Sequence, residues 1–401
     1  MKRYIMHIDM NSFFATCEQQ ANALLRGMPI GVAAYAGMNS ILLAASVEAK
    51  QKGIKTGTSV REAIAICQKI VILENDPPKY RAISEQVSEV LSRYSDRIEP
   101  YSIDESFIDL TGWVQTWDDA RKMACQIKKH IKSEIGEWLS CSIGISTTKF
   151  LAKVGSDMKK PDGLVIITPD DLPKIYNTLE LTDLWGIAHG WRKKLSRIGI
   201  NTIRDLYDYP LQNVTSLFGK PGHALYLHLH GFDVDPVARQ PRAPKSISHQ
   251  YAIPKKECTA ENIPKILMRL CEKVGMRLRS HECAARTVFL GLRFFERPGA
   301  FLHTRLPYPV RGTRDIYQHA SLLLKGIEPM DHIRVLSIGV SDLEPLTNQL
   351  LLFNTTEANK STTTIDDILD SINNKYGGRT ITRAATLGGE HFVPDRIAFG
   401  K

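Results

Sequence analysis

The chain has 401 residues, which exceeds one ordinary domain and fits two to four domains. Hydrophobic residues make up 43% and charged residues 24% of the chain, which excludes disordered, collagenous and coiled-coil classes. The 52 Lys and Arg residues outnumber the 43 Asp and Glu residues, giving a net charge of +9. An excess of this size indicates a polyanionic partner.

The positive charge is concentrated in one segment. Residues 1–238 carry 28 basic and 27 acidic side chains, residues 239–345 carry 18 and 10, and residues 346–401 carry 6 and 6. A solvated basic surface is the simpler explanation. The concentration in one segment favours a phosphate backbone as the partner.

Cysteine usage and hydropathy indicate the compartment. The 7 cysteines are odd in number and include no Cys-x-x-Cys pair. They therefore argue against a disulfide framework or a structural zinc site and predict a cytoplasmic location. Charge interrupts the N-terminus too early for a signal peptide. The uncharged stretch 27–47 contains Pro29 and three glycines, so we expect two buried strands and no membrane segment.

The hydrophobic pattern predicts a strand over residues 3–8 that ends at Asp9, followed by a helix over residues 13–23. Pro77-Pro78 predicts a break before a long helix that runs to about Tyr94. Further elements are predicted as strands within 29–47, over 97–103, 107–110, 139–145 and 164–167, and as helices over 48–52, 59–69, 117–135 and 150–158.

These elements predict a multidomain protein with α/β and α+β parts. The first 167 residues are typical of a βαβ-rich domain with a mixed sheet, and residues 168–238 are helical. Residues 239–242 are typical of a linker, and residues 243–345 alternate strands and helices as in a small α+β domain. The rest is polar, and the Thr-rich stretch 354–364 is expected to be flexible.

Three carboxylates stand at predicted strand ends of the first domain. Asp9 closes the first strand, and Asp104 and Glu105 occupy the turn of the hairpin. Adjacent strands of one sheet can bring the three together. Phosphoryl transfer with two Mg²⁺ ions about 3.5–4 Å apart needs such a cluster, because Mg²⁺ prefers hard oxygen ligands. Alternatively, Asp9 caps the following helix and Asp104-Glu105 is only a polar turn.

Two segments taken together resemble the catalytic motifs of the Y-family, or translesion, DNA polymerases. They are residues 9–15, Asp-Met-Asn-Ser-Phe-Phe-Ala, and residues 101–107, Tyr-Ser-Ile-Asp-Glu-Ser-Phe. The resemblance continues through residues 149–153 and 156–163 and covers nearly the whole chain in the order of the family. Some pieces resemble the polymerase IV branch, and others resemble the catalytic subunit of polymerase V.

The resemblance implies a right-hand polymerase with four domains and a tail. The mixed-sheet palm would comprise residues 1–10 and 80–167, the small fingers residues 11–79, and the helical thumb residues 168–238. A linker of residues 239–242 would lead to an α+β little finger of residues 243–345, which binds DNA. Residues 346–401 would form the C-terminal tail.

The resemblance also implies the roles of the active-site residues. Asp9, Asp104 and Glu105 would be catalytic ligands of two Mg²⁺ ions, with the backbone carbonyl of Met10 as a further ligand. Phe14 falls at the steric gate, a flat ring under the sugar that favours deoxynucleotides. Phe13 beside it is either a nucleotide contact or a core aromatic. Lys160 falls where the family has a lysine that reaches the incoming triphosphate.

The sequence departs from the commoner family pattern at residues 44–50. Val47 and Lys50 stand where many members have Tyr and Arg, and Lys50 exchanges a bidentate fork for a point charge. We therefore expect weaker triphosphate binding but no loss of chemistry.

Two regions are expected to bind the DNA backbone. Residues 184–188, with Gly186 and Ile187 at the turn, resemble a helix-hairpin-helix, in which backbone N–H groups hold a phosphate. An ordinary helical hairpin is the alternative. Lys245 opens the segment that matches the little finger, and the strands of that segment carry further basic residues: Arg286, Arg293, Arg297, Arg305 and Arg311.

The segment Gln349-Leu350-Leu351-Leu352-Phe353 resembles the short peptide by which such polymerases hold the sliding clamp. An extended peptide with Leu and Phe anchors suits a preformed apolar groove. Alternatively, it is a small apolar patch that folds back on the core.

The sequence therefore predicts a template-directed, low-fidelity DNA polymerase that extends a primer with dNTPs past damaged bases, in DNA repair and damage tolerance. Its partners would be primer–template DNA and the sliding clamp. No separate exonuclease domain fits the length, so no proofreading is expected. Three alternatives stay open: a catalytically inactive DNA- and clamp-binding relative, a subunit that needs an accessory protein, and a nucleotide cyclase with a palm-like core. The cyclase predicts neither the helical hairpin nor the basic C-terminal domain.

Overall fold

The computed structural model describes residues 3–35, 37–232, 235–238, 243–327, 332–346, 357–377 and 380–394, and for residues 357–364 it describes the backbone alone. The described chain divides into two compact units at Ala243. The predicted linker, residues 239–242, lies outside the described residues.

The first unit is built from strands and helices that alternate along the chain. Its strands are β1 (Ile5–Met10), β2 (Ile30–Ala33), β3 (Leu42–Ala45), β4 (Val71–Glu74), β5 (Ile98–Pro100), β6 (Glu105–Asp109), β7 (Cys141–Ser146) and β8 (Leu164–Ile166). Its helices are α1 (Phe13–Ala21), α2 (Val47–Gln51), α3 (Val60–Ile66), α4 (Pro77–Ser92), α5 (Trp117–His130), α6 (Lys149–Met158), α7 (Leu172–Tyr176), α8 (His189–Ser196), α9 (Ile203–Asp208) and α10 (Leu211–Leu229).

The larger sheet of this unit has the order β5-β6-β1-β7-β8, with β1 antiparallel to both of its neighbours and β7 parallel to β8. The central strand β1 is buried along its whole length, because helices cover both faces. Met6 and Ile8 pack in the core shared with α4 and α5, whereas Ile5 packs near Ala152 of α6. Since side chains alternate along a strand, His7 and Asp9 share the α6 side with Ile5.

A separate three-stranded sheet has the order β3-β2-β4 and packs on the short helices α2 and α3. Ser46 and Ser59 cap these helices, each accepting a backbone N–H bond at N3. The strand β4 is not among the predicted elements. The long helix predicted to follow Pro77-Pro78 is present, but it begins at Pro77, since both prolines belong to the first turn of α4. Proline is tolerated there because the first N–H groups of a helix have no partner within it.

The second unit combines a four-stranded antiparallel sheet with helices. Its strands are β9 (Ser246–Ala252), β10 (Cys283–Phe294), β11 (Ala300–Val310) and β12 (Ile333–Pro345), in the order β11-β10-β12-β9. Its helices are α11 (Asn262–Ser280), α12 (Thr313–Leu324) and α13 (Glu357–Tyr376). One face of the sheet packs against α11 and α12 through alternate residues such as Val288, Leu290 and Leu292.

The C-terminal segment differs from the prediction. The flexible stretch predicted for residues 354–364 is helical from residue 357 onward. Asp366 and Asp370 of α13 hold the buried Arg279 of α11, and Phe392 is buried in the core of the second unit. The sequence pattern is uninformative here because the helix docks through its acidic side. None of the helices that the structure describes is long and apolar enough to span a membrane.

Candidate active site

The pairing of β1 with β6 brings the three predicted carboxylates to one end of the larger sheet. Asp9 and Glu105 are register partners, and the Met10 N–H donates to the Asp104 carbonyl at 2.9 Å. They open on a cleft of about 680 Å³. The cleft is lined by Asp9, Met10, Asn11, Ser12, Phe13, Phe14, Leu43, Ala44, Val47, Lys50, Gln51, Thr56, Asp104, Glu105, Lys160 and Pro161.

Asp9 does not cap the helix that follows it, as the alternative interpretation required. The N-cap position of α1 is occupied by Ser12, whose side chain makes no capping bond. Asp9 Oδ2 instead lies 2.7 Å from Lys160 Nζ. Burial raises the pKa of the Asp9 carboxyl above its ordinary value, although the Lys160 ammonium opposes this shift.

Asp104 lies in the turn between β5 and β6, and its side chain is held by its neighbour. The Ser102 hydroxyl donates to Asp104 Oδ1 at 2.6 Å, and the Ser84 hydroxyl of α4 donates to the Ile103 carbonyl at 2.6 Å. Burial raises the pKa of Asp104, and the negative charges of Asp9 and Glu105 raise it further. Burial is thus the main cause of the raised pKa values of both carboxyls, and the neighbouring acids add to it.

Glu105 has a different environment. Its Oε2 accepts a bond from Lys153 Nζ at 2.7 Å, and the buried His7 ring nitrogen Nε2 lies 3.5 Å away. Burial alone would raise the pKa of Glu105, but His7 and the Lys153 ammonium hold it at about 2. His7 Nδ1 lies 2.7 Å from the Ser156 hydroxyl, which fixes the ring against α6.

Two lysines bring positive charge into the cleft. Lys160 is bonded to Asp9 and also lies 2.7 Å from Asp157 Oδ1. Burial lowers the pKa of Lys50, which enters from α2, and the like charge of Lys160 lowers it further. An anionic group that entered between Lys50 and Lys160 would therefore relieve a repulsion.

Phe14 forms part of the cleft wall and has a rigid backing. Its side chain is 5% exposed and stacks on Tyr80, with ring centroids 4.6 Å apart and planes 15° from parallel. The Tyr80 hydroxyl donates to the buried Glu18 at 2.7 Å, so the backing ring is itself held. Phe13 also lines the cleft but is 2% exposed and belongs to the core of the first unit.

The predicted Mg²⁺ ligands share one sheet end, but their oxygens do not surround one point. Among the described residues, no group of three or more His, Cys, Asp or Glu side chains is placed to hold a metal ion. Lysine ammonium groups lie on Asp9 and Glu105 instead. The donors nonetheless have the chemistry that Mg²⁺ prefers, since all three are carboxylates.

The turn predicted to bind DNA phosphate has its glycine where glycine is required. Gly186 has φ +92°, a conformation that L side chains rarely adopt, and Ile187 is buried, so only its backbone can contact DNA. The first helix of the predicted hairpin is only a single 3₁₀ turn, Leu181–Asp183, and α8 is the second helix.

The arginines predicted to bind DNA have different surroundings. Arg286 pairs with Glu344, Arg311 pairs with Asp367, and Arg297 lies over the Phe294 ring. Arg293 and Arg305 are exposed on the sheet face opposite the helices. Lys245 is exposed just before β9. The predicted clamp-binding residues Gln349, Leu350, Leu352 and Phe353 lie outside the described residues.

Several site residues were not predicted. Lys153 and Ser156 lie on the face of α6 that meets β1, and their helical spacing from Lys149 was a signal that could have identified that face. His7 could have been found from its alternation with Asp9 along β1. No sequence signal marks Tyr80, because its contact with Phe14 joins residues 66 positions apart.

Comparison with known proteins shows which family the chain resembles. The family model described as impB/mucB/samB matches residues 8–157, and the model of the C-terminal domain of the same family matches residues 244–351. The DNA polymerase IV of Alkaliphilus oremlandii (strain OhILAs) is 34% identical over 400 residues, which cover 96% of this chain and 100% of that protein. The DNA polymerase IV of Pelotomaculum thermopropionicum is 33% identical over 393 residues, 96% of each chain.

A solved structure agrees in fold. The Y-family DNA polymerase chimera Dbh-Dpo4(243-245)-Dbh matches with a TM-score of 0.74 and 20% sequence identity. The match covers 86% of this chain and 100% of the chimera. With the family models and the relatives above, this confirms the right-hand polymerase fold predicted from the sequence. The chain therefore belongs to the impB/mucB/samB family, and it is a DNA-directed DNA polymerase of the Y family.

Proposed function

We propose that this polymerase performs low-fidelity translesion synthesis with two Mg²⁺ ions, in DNA repair and damage tolerance in the cytoplasm. The observation that carries the proposal is the placement of Asp9, Asp104 and Glu105 at one sheet end, on a cleft that Lys50 and Lys160 line from other elements. Carboxylates on one side and ammonium groups on another suit a metal-bound triphosphate.

The carboxylates and the Met10 carbonyl would hold the ions. When bound, Mg²⁺ would lower the pKa of the primer 3′-OH and neutralise charge on the triphosphate. The Lys160 and Lys153 ammonium groups, which lie on Asp9 and Glu105, would then be free to pair with phosphate oxygens or with the remaining carboxylate oxygens. Most of the rate enhancement would come from positioning and charge, with little covalent chemistry by side chains.

The chain offers Lys160 and Lys50 to the triphosphate of the incoming nucleotide. Lys50 carries a point charge without the bidentate geometry of arginine, so its contribution would be weaker and less directional. Val47 supplies no hydroxyl to the cleft it lines. We therefore expect a higher KM for dNTPs than in relatives that have Tyr and Arg at these two positions.

Phe14 is expected to select against ribonucleotides, because its ring is backed by Tyr80 and cannot retreat from a 2′-OH. Replacing Phe14 by Val should raise the preference for a ribonucleotide over the matching deoxynucleotide by about 10- to 100-fold. The measurement is the ratio of kcat/KM values for ATP and dATP. Phe13→Val is the matched control and should leave the ratio unchanged; equal ratios for the two variants would contradict the assignment of Phe14.

DNA would be held without sequence readout. The Gly186 turn and α8 would offer backbone N–H groups to one phosphate, and Arg293, Arg305 and Lys245 would contact others from the second unit. Arg286 and Arg311 are paired with acidic residues, so we expect a smaller contribution to DNA binding from them. The peptide Gln349–Phe353 is proposed to bind the sliding clamp on sequence grounds alone.

The translesion function is tested by primer extension on a template with an abasic site. We expect insertion opposite the lesion by the wild-type chain with Mg²⁺ and dNTPs, and no insertion by an Asp104→Ala/Glu105→Ala double variant that binds the same DNA. An inactive or accessory-dependent subunit would instead bind the DNA without insertion, even when the clamp is added at low salt.

A further inference from the structure

Residues 159–163 form the loop that carries Lys160 to the cleft, between the end of α6 and the start of β8. The backbone of this loop is constrained at two positions. Asp162 has φ +55°, and a Cβ on Gly163 would lie 1.7 Å from the Lys159 carbonyl oxygen, so no other residue fits there. A loop in such a conformation depends on the contacts around it to hold its shape.

One end of the loop is bonded to β7. The Gly163 N–H donates to the Ser142 hydroxyl at 3.3 Å, and the Ile143 N–H donates to the Gly163 carbonyl at 3.0 Å. The Ser142 hydroxyl in turn donates to Asn11, two residues after Asp9. These bonds position Gly163, but they do not contact Lys160 or Asp162.

Two lysines from another element hold Asp162. Lys128, in the last turn of α5, donates to the Asp162 backbone carbonyl at 2.6 Å and to Oδ1 at 3.0 Å. Lys132, in the π-helical turn that follows α5, lies 2.8 Å from Oδ2. Only 15% of the Lys128 side chain is exposed. Neither lysine lines the cleft.

We propose that Lys128 and Lys132 are positioning residues that hold Asp162 and thereby fix where Lys160 meets the triphosphate of the incoming nucleotide. Lys128 bonds to the backbone carbonyl of Asp162, which is two residues from Lys160 in the chain. Loss of Lys128 therefore shifts the backbone there and not merely a side chain. The contacts of Lys128 and Lys132 with Asp162 do not involve the carboxylates on β1 and β6. The effect therefore falls on nucleotide binding more than on the chemical step. The inference rests on the proposed role of Lys160.

The test compares nucleotide KM and kcat for a Lys128→Met/Lys132→Met variant on an undamaged primer–template. We expect KM for the dNTP to rise about three- to tenfold and kcat to stay within about twofold. Lys122→Met/Lys129→Met is the matched control, since it removes the same two charges from exposed positions on α5 and should leave both constants unchanged. The control distinguishes the loss of the contacts with Asp162 from a general loss of positive charge near the triphosphate.

A double-mutant comparison tests the route through Asp162. Asp162→Asn keeps a residue that tolerates the left-handed conformation and keeps the backbone carbonyl that Lys128 contacts, so it should raise KM by less than the lysine variant does. In that background the two lysine substitutions should bring KM only to the value of the lysine variant alone, because both changes act on the same contacts. Fully additive effects, or a wild-type KM in the lysine variant, would overturn the proposal.

A binding measurement separates this inference from the proposed function. The dissociation constant of a dNTP is measured for the complex of each variant with a dideoxy-terminated primer–template, where no bond can form. It should rise by the same factor as KM. If the wild type incorporates no nucleotide at all, the proposed function fails, and the dissociation constants still decide whether the lysines position the nucleotide site.

Discussion

Replacing Asp9 by asparagine is expected to lower kcat/KM for nucleotide incorporation at least about 1,000-fold, or about 4 kcal/mol of transition-state stabilisation. The substitution keeps the shape of the side chain and its buried position but removes one of the negative charges at the sheet end. Mg²⁺ would lose a hard ligand, and the primer 3′-OH would lose its activation. The measurement is single-turnover incorporation of one correct dNTP with saturating primer–template.

Asp157→Asn is the matched control for this variant. Asp157 also lies 2.7 Å from Lys160, but it is on α6 outside the cleft and its side chain is 44% exposed. The control therefore removes the second carboxylate partner of Lys160 without touching the sheet end, and incorporation should fall by less than about tenfold. Equal losses in the two variants would show that Asp9 acts only through Lys160.

Replacing Asp366 by alanine is expected to destabilise the second unit by about 3 kcal/mol or more. Asp366 is 3% exposed and accepts bonds from Arg279, from Arg383 and from the Thr313 N–H at 2.7 Å. Thr313 begins α12, whose N-cap Gly312 has no side chain to serve as a cap. The variant would therefore leave a buried arginine short of a partner and a helix end uncapped.

Asp367→Ala is the control, because Asp367 is the adjacent residue on α13 and forms an exposed pair with Arg311. That change should cost less than about 1 kcal/mol. The stability of the second unit is measured from hydrogen exchange of the α11 and α12 amides at increasing urea concentration. Tryptophan fluorescence reports the first unit, since all 5 tryptophans of the chain precede Ala243. Equal stability of the two variants would contradict the docking of α13.

The active-site framework could be predicted from the sequence because it depends on local patterns. A short apolar strand that ends in Asp9 and a hairpin with acids at its turn were enough to expect the carboxylates at one end of the sheet, and the register pairing of Asp9 with Glu105 places these two residues there. The glycine at position 186 was likewise identifiable from its place in a turn. Such features can be recognised from the spacing of hydrophobic residues along the chain and from the chemistry of a few side chains.

Contacts between distant residues could not be predicted in this way. The lysines on Asp9 and Glu105 come from α6 and the loop after it, about 50 to 150 residues away in the chain. The basic character of residues 239–345 was visible, but not that Asp366, Asp367 and Asp370 neutralise part of it from outside that segment. α13 was missed because it presents acidic residues to the protein and leaves Ile365 and Ile368 exposed, the reverse of the usual pattern.

The most direct test of the account is the extension of an annealed primer by the purified chain, one nucleotide at a time, with Mg²⁺ or with EDTA. The account predicts addition of the nucleotide complementary to the template, abolished by EDTA and by Asp9→Asn, while binding of the primer–template by that variant is retained. A chain that binds the primer–template with normal affinity but adds no nucleotide in Mg²⁺ would contradict it.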